Sequence, residues 1–333
     1  MEHLVFGAGL IGGYLGASLM ISGRDVGWVV RPKTQEKLRN GLRVTDYLGN
    51  DRRVEDLKFV DVNSADVNEA PAILWLTIKC TALEAAVDDI RAVIGLNSVI
   101  ISLQNGLGAE TYLQRQFPDH KVIRGVMAAN VAELASDHLH RGTLGGIDLP
   151  LLPETEALND SFRFEGLSLG LYENLEGLVW AKLQLNLNNP LNALSDIPLK
   201  TQLEQRDFRR ILAAAMDEYL EVAKRRGVDL PKLTPLPPAW IPSIMRLPNW
   251  LFVRIAAKML AIDPNARSSM WSDLSSGRKS EIDFLNGAVV DEGKKLGVNC
   301  PVNQAIRDLI YEVERGRETI GFDSKELRLR LLA

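Results

Sequence analysis

Three features of the sequence predict an α/β chain: a doubly wound parallel sheet followed by a second, all-helical domain. A glycine-rich turn between two short apolar runs opens the chain. Up to about residue 127, wholly apolar runs of strand length alternate with segments of helical spacing. From about Leu175 onward only helical spacing remains. Alternating strands and helices build a parallel sheet with helices on its faces. The expected domains are therefore a nucleotide-binding unit over 1–172 and a helical unit over 173–333.

The first element is the most informative. Leu4-Val5-Phe6 reads as a buried strand, Gly7-Ala8-Gly9-Leu10-Ile11-Gly12 as a turn, Tyr14 to Met20 as a helix, and Val26 to Val30 as a second strand ending at Arg31. This is the first βαβ unit of a Rossmann-type dinucleotide-binding fold. Gly7 permits the tight turn, Gly9 lets backbone approach a pyrophosphate, and Gly12 lets the helix pack close to the strand. The helix N-terminus, including Leu10 and Ile11, supplies unpaired N–H donors and the positive dipole end. Gly7, Gly9, Leu10, Ile11 and Gly12 are thus expected at the cofactor. An NAD enzyme usually carries Asp or Glu at the tip of the second strand, about 20 residues on. Here Arg31 stands there, with Lys33 nearby and no acid between Val26 and Lys33, so the expected cofactor is NADP(H).

Composition excludes other classes. The 333 residues favour two domains. A net charge of −4 gives no nucleic-acid footprint. Two cysteines, Cys80 and Cys300, make no disulfide framework, and the four histidines form no metal motif. Residues 4–21 carry five glycines and no preceding basic stretch, which argues against a signal or membrane segment. A cytoplasmic protein is expected, with a small-molecule substrate, no nucleic acid and no membrane partner. A homodimer through the helical domain is compatible with the sequence, which carries no direct sign of it.

The remaining elements follow in order. Thr34 to Asn40 is a short helix ended by Gly41. Residues 42–60 alternate as a strand pair around the turn at 47–51. Ala72 to Ile78 is a buried parallel strand ending at Lys79. Ala82 to Ile94 is a helix, Val99 to Leu103 a buried strand ending in Gln104-Asn105-Gly106, Glu110 to Phe117 a helix, and Val122 to Met127 another strand. Gly142 to Leu152 suggests closing strands. Helices are then expected over Leu178–Leu194, Phe208–Arg226, Trp250–Ile262, Glu281–Leu296 and Gln304–Arg315. Residues 231–248 hold six prolines and cannot form one helix. They read as a long connection or as a lid. Ligands of such sheets bind at the carboxyl ends of the strands. Gly12, Arg31, Lys79 and Asn105 all fall there.

In the helical half, the stretch from Trp180 to Asn192 is apolar enough to be buried yet carries Lys182 and several asparagines. Lys182, Asn186 and Asn189 lie at i, i+4 and i+7, one face of a helix. Buried polar groups need partners, so this face should look into a polar cleft; the alternative is that it faces solvent. Pro190 should kink the helix. A second constellation is Ser268-Ser269-Met270 followed by Arg278 to Gly287, which also reads as helix-capping chemistry.

Taken together, the GAGLIGG turn, Lys79, Gln104-Asn105-Gly106, the Lys182–Asn192 stretch, and Ser-Ser-Met followed by Glu281-Ile282-Asp283-Phe284-Leu285-Asn286-Gly287 resemble the ketopantoate reductase (2-dehydropantoate 2-reductase) family over nearly the whole chain. The resemblance implies NADPH-dependent reduction of a 2-oxo acid, 2-dehydropantoate to pantoate. It implies Lys182 as general acid, Glu281 orienting it, Asn186, Asn189 and Ser269 on the substrate, and Asn105 and Lys79 between cofactor and substrate. The chemistry agrees: hydride addition to a ketone builds charge on oxygen, and a proton-donating cation stabilises it. Two departures touch the substrate side: the asparagine before proline follows the lysine by seven residues rather than eight, and a proline-rich segment precedes Ser269. Alternative readings are a paralogous reductase of another branched 2-oxo acid, and an NADP(H)-binding regulator without turnover.

Overall fold

Strands buried on both faces organise the first part of the chain. In the computed structural model, which describes residues 1–64, 70–257 and 263–332, the elements run β1 (His3–Phe6), α1 (Leu10–Ile21), β2 (Val26–Val29), α2 (Pro32–Leu38), β3 (Leu42–Asp46), β4 (Asp51–Val54), β5 (Lys58–Phe59), β6 (Ile73–Leu76), α3 (Leu83–Val93), β7 (Val99–Ser102), α4 (Ala109–Gln116), β8 (Val122–Arg124), β9 (Val126–Met127), β10 (Val131–Ala135), β11 (His138–Arg141), β12 (Ile147–Pro150), α5 (Pro153–Glu156) and β13 (Leu169–Tyr172). They belong to a compact unit, Met1–Leu175. Every residue of β1, β2 and β6 is buried, as continuous apolar runs require.

The sheet order is β5-β2-β1-β6-β7-β8, with all pairs parallel. It winds outward in both directions from β1 and β6, the nucleotide-binding order, and the switch point lies between those two strands. Helix α1 is buried from Gly12 to Leu19 because it is covered on both sides. A Cβ on Gly16 would lie 2.3 Å from the Trp28 ring of β2. On its other side lies a second sheet, ordered β10-β11-β3-β4. Here the β3–β4 hairpin pairs Leu42 with Val54 and Thr45 with Asp51. Asp46 accepts from Leu48 N–H and Asn50 N–H and forms a buried ion pair with Arg141 at 3.0 Å.

Three expectations in this unit are corrected. The short helix starts at Pro32 rather than Thr34, since proline pre-sets the first helical φ. The expected strand over 122–127 is two strands in two sheets. Gly125 still donates to Ser102 O at 2.8 Å, after which the chain leaves the first sheet and β9 pairs antiparallel with β12. Of the closing strands expected over 142–152, only β12 forms. Its partners are β9 and β13, and the antiparallel pair β10–β11 lies upstream of the expected range.

The second unit, Glu176–Ala333, is helical in its described residues. It runs α6 (Leu175–Asn186), α7 (Asn189–Ser195), α8 (Leu199–Glu204), α9 (Arg206–Arg226), α10 (Ile241–Met245), α11 (Asn249–Ile255), α12 (Ser269–Ser275), α13 (Asn286–Leu296), α14 (Pro301–Glu314) and α15 (Ser324–Leu331). α9 is its spine. Phe208, Ile211, Leu212, Ala215, Met216, Tyr219 and Val222 form one buried stripe, against which α10, α13, α14 and α15 pack. Gly227, at φ 78°, ends it.

Here too the boundaries differ from expectation. The helix expected over 178–194 is two helices, α6 and α7. The one expected over 281–296 is a 3-10 turn, Ile282–Phe284, followed by α13. α14 begins at Pro301, three residues before Gln304, again with proline in its first turn. Of the helix expected over 250–262, α11 covers Asn249–Ile255, and residues 258–262 lie outside the described residues. The proline-rich stretch contains a 3-10 turn, Pro238–Trp240, and α10. No helix among the described residues is long and apolar enough to cross a membrane.

Candidate active site

At the carboxyl edge of the parallel sheet the glycine turn has the geometry its sequence requires. Gly7 follows β1 at φ 102°, where a Cβ would sit 2.7 Å from Ile78 Cγ2. Gly12, in the first turn of α1, has no room at all: a Cβ would lie 1.9 Å from Gly7 O and 2.3 Å from Thr77 Oγ1. Thr77 in turn donates to Gly7 O at 2.6 Å, tying the turn to the end of β6. Gly9 is different. A Cβ there would meet nothing within 4 Å, so packing within the protein does not require glycine at that position. The first bond of α1 here is Gly13 N–H to Gly9 O, so the N–H groups of Leu10, Ile11 and Gly12 are the free donors of a helix N-terminus. That set fits a pyrophosphate: open space over Gly9 and aligned donors behind it.

Arg31 caps α2 with its backbone and is exposed, as is Lys33. Among the described residues neither side chain takes a hydrogen bond or an ion pair, whereas the nearby Glu36 is paired with Arg39 at 2.8 Å. Lys79 is exposed at the N-terminus of the 3-10 turn Cys80–Ala82, just past β6. Asn105 is half-buried in the loop after β7. The structure brings these two positions together, since Cys80 Sγ donates to Asn105 O at 3.4 Å. Arg124, at the end of β8, donates through Nη2 to Gly106 O, and burial lowers its pKa. Cys80 and Arg124 had no signal in the sequence, because each acts through contacts remote along the chain.

In the second unit Lys182 is half-buried on α6 and Asn186 is its last residue. The stretch from Lys182 through Asn186 to Asn189 is not one unbroken helix, the disturbance that Pro190 predicts. The helix stops at Asn186, with Leu187 N–H bonded to Leu183 O and Asn188 N–H reaching Leu185 O at 3.4 Å, and a new helix starts at Asn189 with Pro190 in its first turn. Asn189 therefore belongs to α7.

The neighbouring asparagines are bonded at the break. Asn188 and Gln202 exchange a reciprocal amide pair at 3.1 and 2.9 Å. Asn192, fully buried, donates to Ile197 O at 3.0 Å and accepts from Ser268 N–H at 2.8 Å. Ser268 Oγ donates to Asn189 O at 3.0 Å and accepts from Trp271 N–H at 3.1 Å, so it is Ser268 that caps α12. Ser269, exposed in the first turn of α12, is thus brought beside Asn189. Asp196 fastens the same corner, accepting from Arg267 Nη1 at 2.7 Å and from Trp271 Nε1 at 2.6 Å. By contrast, the half-buried side-chain amides of Asn186 and Asn189 take no hydrogen bond among the described residues.

Glu281 is buried at the entrance to the 3-10 turn Ile282–Phe284. Its predecessor is pinned, Ser280 N–H donating to Glu314 Oε1 at 2.8 Å. The Asn286 amide of the same motif is structural: it donates to Asn303 Oδ1 at 2.9 Å, and Asn303 donates to Glu218 at 2.7 Å. No cluster of metal-ligating side chains occurs among the described residues.

Comparison with known proteins agrees with both units. The family model for ketopantoate reductase PanE/ApbA matches residues 3–154, and the model for the ketopantoate reductase PanE/ApbA C-terminal domain matches residues 174–314. The 2-dehydropantoate 2-reductase of Archaeoglobus fulgidus is 28% identical over 318 residues, covering 94% of this chain and 97% of that protein. The crystal structure of a PanE/ApbA family ketopantoate reductase from Ralstonia eutropha JMP134 superposes with a TM-score of 0.80 at 25% identity, covering 96% of this chain and 100% of that one. D-mandelate dehydrogenase, solved with NADH and anilino(oxo)acetate, shares the fold with a TM-score of 0.77 at 21% identity, covering 95% and 99%.

Proposed function

The chain belongs to the ketopantoate reductase PanE/ApbA family of oxidoreductases, and on that premise we propose that it reduces the ketone of a 2-oxo acid, 2-dehydropantoate, with NADPH. The observation that carries the reading to this chain's own residues is the division of labour among its asparagines. Asn188 and Asn192 spend their amides inside the helical unit, while the half-buried amides of Asn186 and Asn189 have no protein partner among the described residues. Polar groups so placed are suited to a polar ligand.

NADPH supplies the hydride when bound. The open space over Gly9 and the N–H groups of Leu10, Ile11 and Gly12 would hold its pyrophosphate, with Gly7 shaping the turn and Lys79 and Asn105 lying toward the nicotinamide. Arg31, exposed and unpaired among the described residues, would meet the 2′-phosphate. On the substrate side, Lys182 donates a proton to the ketone oxygen as charge develops there, giving the alcohol. Glu281 holds the ammonium in place, and Asn186, Asn189 and Ser269 bind the carboxylate and hydroxyl groups. The seven-residue spacing from Lys182 to Asn189 favours one further reading, in which the acid is another branched 2-oxo acid handled by the same machinery.

The test is NADPH oxidation with 2-dehydropantoate beside a panel of 2-oxo acids, with Lys182→Ala as control. Turnover on 2-dehydropantoate that falls by about 10²–10⁴-fold in the variant is expected. Turnover on another acid alone, with the same loss, moves the substrate. NADPH binding without turnover on any acid overturns the assignment.

A further inference from the structure

The loop that carries Asn105 places two glycines in the left-handed region. Asn105 is followed by Gly106 at φ 77° and, two residues after that, by Gly108 at φ 97°. Glycine in this region leaves the neighbouring peptide planes free to turn. Two successive carbonyls of the loop are nevertheless held by side chains from the strand ends on either side. Cys80 Sγ, from the turn after β6, donates to Asn105 O at 3.4 Å. Arg124 Nη2, from the end of β8, donates to Gly106 O. Ser102 of β7 pairs directly with Arg124 of β8, which sets the guanidinium beside the loop, and its Nη1 reaches Glu110 at 3.8 Å. Both holding residues are largely buried, with Cys80 4% exposed and the Arg124 side chain 10% exposed.

We propose that Cys80 and Arg124 are positioning residues that fix the Asn105–Gly106 peptide, and through it the Asn105 side chain, for reduction of the 2-oxo acid; this rests on the placement of Asn105 between cofactor and substrate. With the two carbonyls drawn toward β6 and β8, the Asn105 backbone keeps one orientation in spite of the glycine that follows. Arg124 carries the larger share, because a charged donor makes a stronger bond than a thiol.

A double-mutant cycle tests this in the full-length protein. Arg124→Met should lower kcat/KM for the 2-oxo acid by about tenfold or more, the effect of losing a charged hydrogen bond, with NADPH affinity within about threefold of wild type. Arg124→Lys should recover part of the loss. Cys80→Ala should cost a few-fold, and Cys80→Ser, which keeps a donor, should cost less. In the decisive comparison, Asn105→Ala/Arg124→Met should be no slower than Asn105→Ala alone, since a residue that acts through Asn105 has nothing left to position. Losses that multiply, or an Arg124→Met enzyme with wild-type kcat/KM, overturn the proposal and leave the reductase reading standing. An Asn105→Ala enzyme with wild-type kinetics overturns the placement of Asn105 itself. If Arg124→Met does not fold, the same cycle run with Cys80→Ala decides by the same criterion.

Discussion

Replacing Arg209 with methionine should loosen the proline-rich segment selectively. Arg209 lies on α9, fully buried, and makes no ion pair among the described residues. Its guanidinium instead donates to Leu203 O at 2.8 Å, Met245 O at 3.0 Å, Leu247 O at 2.7 Å and Asn249 Oδ1 at 2.9 Å, and stacks 4.0 Å over Phe252. Leu203 and Met245 lie in the last turns of α8 and α10, so one cation caps the carbonyl ends of two helices, where the dipole favours it. Burial, with Arg206 nearby, lowers its pKa to about 10, which leaves it charged at neutral pH. Methionine keeps the stem and removes every donor, stranding three main-chain carbonyls. Four bonds to a charged group, at about 1.5–3 kcal/mol each, would total more than is realistic, because desolvation of the cation is relieved at the same time. The expected net loss is about 3–5 kcal/mol, at about 1–3 kcal/mol for each of the three stranded carbonyls less the relief of the buried cation. Hydrogen exchange should show amides of residues 241–256 losing about 10²–10⁴-fold of their protection, with β1, β2 and β6 unchanged. Unchanged protection, or a loss spread evenly over both units, would refute the assignment of Arg209 as the pin.

Three further outcomes follow from the nucleotide-binding unit. Gly12→Ala should cost about 1–3 kcal/mol of stability, since its Cβ meets a main-chain oxygen that cannot yield, whereas Gly9→Ala should keep the wild-type Tm and weaken NADPH binding. Equal losses of Tm would contradict that distinction. Arg31→Ala should weaken NADPH by about tenfold and leave NADH unchanged, if a single exposed charged contact carries the preference; a parallel loss for both cofactors, read by fluorescence titration, would remove Arg31 from the 2′-phosphate. His3 receives the Trp75 indole N–H on Nδ1 at 3.2 Å, so Nε2 carries the proton toward Ser161 Oγ, also at 3.2 Å. Burial pushes its pKa down to about 4. Between that value and an unfolded value of about 6.5 the unfolded chain binds the extra proton, so stability rises with pH. About 3 kcal/mol present at pH 7 should be lost as pH falls through that window. His3→Gln should flatten this part of the urea-denaturation profile, and a slope equal to wild type would show that His3 is not its source.

The parallel sheet was legible because burial on both faces writes itself as uninterrupted apolar runs, as in Leu4–Phe6 and Ile73–Leu76, and because the glycine turn has one structural use at Gly7 and Gly12. The β10–β11 pair was not, since Ala132 to Ala135 are exposed and carry no alternating apolar face. The site divides along the same line. Strand ends can be read in order along the chain, so Arg31, Lys79 and Asn105 are found just past the carboxyl ends of β2, β6 and β7. What holds Asn105 comes from Cys80 and Arg124, 25 residues before it and, at Gly106, 18 residues after, and no local pattern announces such pairs. The polar run from Lys182 to Asn192 shows the limit most clearly. Its sequence states that several amides in an apolar helix need partners, and Pro190 states that the helix is disturbed. Which amides the protein satisfies depends on Gln202, Ile197 and Ser268, segments that meet only after folding. Asn188 and Asn192 are bonded at the break and tie Ser268, the neighbour of Ser269, to it; Asn186 and Asn189 are left over, and it is this remainder, fixed by tertiary contacts rather than by helical spacing, that we propose for the substrate.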